Sequence, residues 1–164
     1  SYTSSSMSLR ADSLDFLGDS FNYGISIYVA SKSLKSRASV SVLKGLTMIG
    51  FGLFVLVSTI QKIGVGTLPE APSMGAVGAL AFAVNLSVAV MLLRHKDGDS
   101  NKQSVWLCTR NDAIGNILVL IGALLVYLLH SGWPDWIVGL TLAGLGTQSG
   151  VKVLLLAKKE LATT

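Results

Sequence analysis

Residues 105–129 read VWLCTRNDAIGNILVLIGALLVYLL. The run is apolar almost without a break, and its apolar residues do not alternate with polar ones, as those of a half-buried strand do. About 20 residues of helix cross a hydrocarbon core, and a helix satisfies its own backbone polar groups where no water can. This stretch is long enough and apolar enough to do so. Its polar positions, Cys108 to Asp112 and then Asn116, are therefore the features that require explanation.

Four further apolar stretches lie around it, at approximately 9–30, 42–63, 74–93 and 136–157. Of the 164 residues, 51% are hydrophobic and only 13% charged, whereas soluble domains carry about 25% charged residues. Mean hydropathy is +0.60. The expected fold is all-α: a polytopic membrane helix bundle with five spans, forming one transmembrane domain over 1–164. Pro69 and Pro72 fall in one connection and Pro134 just before the last span, where helices start or stop. Several of the 17 glycines lie inside spans, where small residues let membrane helices approach closely.

The net charge of +4 is spread between apolar stretches, so it gives no basic stripe for nucleic acid. Lys32, Lys35 and Arg37 follow the first span. Arg94, Lys96 and Lys102 follow the third, and Lys158 and Lys159 follow the fifth. The connections GVGTLPEAPS (64–73) and HSGWPDW (130–136) contain no Lys or Arg. The positive-inside rule then places the basic connections and the C-terminus in the cytoplasm. The first span consequently starts on the outer side, which leads us to expect a sixth helix ahead of it in a longer protein. Trp106, Trp133, Trp136, Tyr127 and His130 stand near span ends and read as interfacial.

The first span is polar along one face. Asp12, Asp15, Asp19, Asn22 and Ser26 follow one another at spacings of three and four, which aligns them on a helix. A carboxylate deep in a bilayer costs roughly 2.5–3.5 kcal/mol on insertion scales, and like charges at i,i+4 repel. A bound cation offsets both costs. In the fourth span Cys108, Asp112 and Asn116 share a face at i,i+4,i+8. Facing each other, Asp15, Asp19, Cys108 and Asp112 offer ligands for a tetrahedral Zn2+-like ion, the thiolate favouring softer metals and the carboxylates harder ones. Asn22 and Asn116 are candidate supporting groups around those ligands or interhelical hydrogen-bonders, and Asn85 reads similarly. One intramembrane aspartate could instead pair with Arg110 in a structural role. Asp12 reads as a helix cap or a water-facing group, and His95, Asp97 and Asp99 as a solvated turn around Gly98.

With these residues in view, the chain resembles the cation diffusion facilitators. LRADSLDFLGDSFNY (9–23) is similar to that family's second transmembrane helix. WLCTRNDAIGNILVLIGA (106–123), preceded by DGDSNKQS (97–104), resembles its fifth, where a His-x-x-x-Asp pair is usual and Cys108 stands in the histidine's place. The resemblance covers essentially the whole chain as helices two to six, without the first helix or the cytoplasmic C-terminal domain. It implies a membrane carrier rather than an enzyme: a homodimeric, proton-coupled exporter of Zn2+ or of Cd2+, Co2+ or Fe2+, with no prosthetic group, placed in a bacterial inner membrane. The ligands it implies are Asp15, Asp19 and Asp112, with Cys108.

Two rival readings stand beside it. A proton-coupled carrier of small organic cations would use the same aspartates and an aromatic wall, for which Phe16, Phe21 and Tyr23 are available. An intramembrane hydrolase would need Asp19 and Asp112 to share one proton, and it leaves Asp15 and Cys108 without a role.

Overall fold

Gly52 and Gly150 explain how the bundle closes. In the computed structural model, which describes residues 19–65 and 75–164, they lie on two long helices that run antiparallel in close contact. A methyl group on Gly150 would sit 2.7 Å from the backbone oxygen of Gly45, and one on Gly52 2.9 Å from that of Ala143. No side chain fits between backbones at that distance. The seam continues through Thr59 against Gly139 at one end and reaches the fully buried Ala38, Ser41, Val153 and Ala157 at the other. Between membrane helices such close packing substitutes for the hydrophobic drive that lipid removes.

The elements are α1 (helical over the described residues 19–30), α2 (Leu34–Val65), α3 (Gly75–Leu92), a 3-10 turn (Leu93–His95), α4 (Ser100–Leu129) and α5 (Trp133–Ala162). Among α2 to α5, the pair α2–α5 makes the most extensive contact, followed by α4–α5 and α3–α4. Among the described residues α2, α4 and α5 are each long and apolar enough to cross a membrane. Large apolar side chains such as Ile27, Phe51, Phe54, Met91, Leu124 and Leu155 face outward, which suits a lipid surround and not water.

The helices outrun the apolar stretches that reveal them. α2 begins at Leu34 rather than near 42, α4 at Ser100 rather than 105, and α5 runs over Trp133–Ala162 rather than 136–157. Hydropathy measures the length that must be apolar, whereas capping and tertiary contacts decide where the helix ends. The Ser33 hydroxyl accepts from the Ser36 amide at the start of α2. Asp99 caps α4 by accepting from the Lys102 amide at 3.0 Å and forms an ion pair with Arg37 at 3.0 Å. Glu160 of α5 accepts the Ser100 amide at 2.8 Å and also the Ser100 hydroxyl. Thus the starts of α2 and α4 and the end of α5 are tied together at the basic end of the bundle. Asp99, read from sequence as part of a solvated turn, is mostly shielded there. At the opposite end α4 and α5 meet through His130, which adopts a left-handed conformation (φ 49°), and Pro134 opens the first turn of α5.

Candidate metal centre

Asp19 and Asn22 project from α1, and Cys108 and Asp112 from α4, onto one cavity of about 380 Å³ whose third wall is α2. Asp19, Cys108 and Asp112 each present a ligand atom, and these atoms all lie within 4.8 Å of one another. All three side chains are partly buried. Helical spacing is what makes this possible. Cys108 and Asp112 are one turn apart on α4 and so share a face, and α1 crosses that face at Asp19. Asp15 and Asp12 lie outside the described residues.

The surroundings position the two helices. The hydroxyls of Tyr23 and Thr109, each close in sequence to one of these three residues, share a hydrogen bond of 2.7 Å between α1 and α4. Further along, Lys44 of α2 donates to the Ser26 hydroxyl of α1 and, at 2.9 Å, to Asn101 Oδ1 of α4. Asn101 Nδ2 in turn donates to the Ser26 carbonyl at 3.0 Å. Ser26, Lys44 and Asn101 are all buried.

Two buried amide atoms about one helical turn in sequence from Asp19 and Asp112, Asn22 Oδ1 and Asn116 Nδ2, have no hydrogen-bond partner among the described residues. A buried amide atom without a partner costs about 1–3 kcal/mol. Asn22 lines the cavity itself, so its oxygen is available to an ion or an ion-bound water. Asn85 is buried on α3. Arg110, considered from sequence as a partner for an aspartate, donates to Asn111 Oδ1 at 2.9 Å and to Ser149 of α5 at 3.3 Å. Asn111 also donates to Ser149, at 3.0 Å, so this pair fastens α4 to α5.

Lys44 and Asn101 are the residues that sequence reading missed. The signal for Lys44 was present, since it stands inside an apolar stretch and a lysine there is as unusual as an aspartate. Asn101 was hidden because it falls in a polar connection by composition and becomes helical only in the fold.

Apolar walls surround a few convergent acids and a thiol, on two helices of a membrane bundle. The family model of the cation efflux transmembrane domain matches residues 1–162. The chain belongs to the cation efflux family. Members of that family are transporters rather than enzymes, and the match supports a membrane-embedded divalent cation transporter. No curated protein matches the chain.

Proposed function

We propose that this cation efflux domain exchanges Zn2+ or a similar divalent ion for protons at a site formed by Asp15, Asp19, Cys108 and Asp112. One observation carries the reading: three metal-compatible donors from two helices converge within 4.8 Å on the wall of a cavity. Bonds of about 2.0–2.3 Å to Zn2+ put tetrahedral ligands roughly 3.3–3.8 Å apart, a separation that donors already this close reach with small side-chain movements. The spacing of Asp15 from Asp19 makes it the fourth ligand. Asn22 and Asn116 support the ligands or their bound water.

The cavity volume of about 380 Å³ exceeds the roughly 180 Å³ that six waters occupy at about 30 Å³ each. A hydrated ion can enter and exchange water for carboxylate and thiolate. Such ligands bind metal deprotonated, so loading releases protons. A site open alternately to the two sides then couples metal movement in one direction to proton movement in the other.

Phe21 and Phe51 also line the cavity, which keeps the organic-cation carrier as the second reading. Titration calorimetry on the purified protein separates the two, because only the first yields a Zn2+ heat that Asp19→Ala and Asp112→Ala both abolish. In proteoliposomes loaded with a pH dye, a Zn2+ gradient should move protons, and the same substitutions should stop it. Unchanged transport in both variants would refute the proposed site.

A further inference from the structure

Lys44 has no part in the metal centre described above, yet it lines the same cavity as Asp19, Cys108 and Asp112. It is 8% exposed, and its two hydrogen bonds go to neutral oxygens, those of Ser26 and Asn101. A buried ammonium held by neutral partners is expensive to keep, and inside a bilayer such a group is a functional hypothesis by default. Its place in the fold suggests which function. Ser26 lies seven residues along α1 from Asp19, and Asn101 seven residues along α4 from Cys108. Both displacements run toward the end of the bundle where Arg37, Asp99 and Glu160 meet. Seven residues of helix are about 10 Å. The ammonium therefore bridges the two ligand-bearing helices on one side of the acids, between them and that end.

We infer that Lys44 is a charge gate on the cation pathway. Bound to Ser26 and Asn101, it closes the α1–α4 crevice and repels a cation arriving from the end where α4 begins. When it swings away, both the latch and the repulsion are lifted together. A neutral latch would close the crevice equally well but would admit any small solute when open. The lysine makes opening the charge-sensitive step.

The inference rests on Asp19, Cys108 and Asp112 being the transport site, but its test needs no metal. Cys108 is the single cysteine of the sequence and faces the cavity, so its modification rate reports access. The protein is reconstituted in vesicles, and small methanethiosulfonate reagents, one cationic and one anionic, are added on the side where α4 begins, with Cys108→Ser as the background. A unit charge about 10 Å away at an effective dielectric near 20 changes a rate roughly tenfold. Because the two rates shift in opposite directions, Lys44→Gln should raise the ratio of cationic to anionic labelling by roughly a hundredfold, Lys44→Met should do the same, and Lys44→Arg should leave it near the parent value. A lysine that only fastens the helices, with its charge screened from the pathway, would change both rates together and leave the ratio unmoved, and that result in either neutral variant overturns the gate. Failure of both reagents to reach Cys108 from that side in the Lys44→Gln and Lys44→Met variants also overturns it, while the calorimetric test of the metal centre stands independently.

Discussion

Replacing Asp112 with asparagine should make the metal-free protein more stable while removing its response to metal. The side chains are nearly the same size, so the change is mainly one of charge. Asp19 and Asp112 present oxygens within 4.8 Å of each other, beside the Cys108 sulfur. Two carboxylates at that separation repel by roughly 3–4 kcal/mol at an effective dielectric near 20. A captured proton already removes part of this, so the relief from Asp112→Asn has a ceiling of about 3 kcal/mol. Each kcal/mol is worth about 2–4 °C in a chain of this size, so the melting temperature without metal should rise by several degrees. Metal stabilises the parent protein by a different route, one that the variant lacks. At a free concentration a hundred times Kd, binding stabilises the parent by about 2.7 kcal/mol, and the variant should lose that increment. Thermal unfolding in detergent or nanodiscs, with and without Zn2+, measures both effects. A variant that melts lower without metal, or that keeps the full Zn2+ shift, refutes the reasoning: the acids would then not be mutually strained, or Asp112 would not be a ligand.

Other expectations are more local. Gly150→Ala should destabilise the bundle by about 1–3 kcal/mol, because its methyl would meet the Gly45 carbonyl at 2.7 Å. Gly144→Ala, with nothing within 4 Å, should be neutral or gain up to about 1 kcal/mol in helix propensity; equal melting of the two variants would mean that the seam is looser than described. Glu160→Ala should cost about 1.5–3 kcal/mol, since it removes an acceptor for both the amide and the hydroxyl of Ser100, and amide exchange should quicken first at the start of α4. Metal affinity should strengthen as pH rises, because protons compete for the same oxygens and sulfur. Calorimetry in buffers of different ionisation heats counts the protons released, and a count of zero would remove the basis for exchange.

The number and kind of elements follow from one-dimensional quantities. Apolar length, the interruption of that length by acids, and the spacing of those acids are enough to give an α-helical membrane bundle. They also place Asp19 on one helical face and Cys108 with Asp112 on another. Helical period is a local property, so residues one turn apart share a face whatever surrounds them. The resemblance of 9–23 and 106–123 to a cation carrier follows from those same positions, and the family match over residues 1–162 agrees with it.

Tertiary structure alone decided how the faces are paired. Nothing along the chain states that α1 crosses α4 at Asp19, because that contact depends on α2 and α5 closing over glycines whose neighbours are about a hundred residues away. Helix ends were hidden for a similar reason: the caps at Asp99 and Ser100 use Arg37 and Glu160, from distant helices. Lys44 is the clearest instance. The sequence shows a lysine in an apolar stretch, and only the fold shows that it ties Ser26 to Asn101 beside the acids. Periodicity assigns a residue to a face, while packing, which sums contacts over the whole bundle, assigns that face its partner.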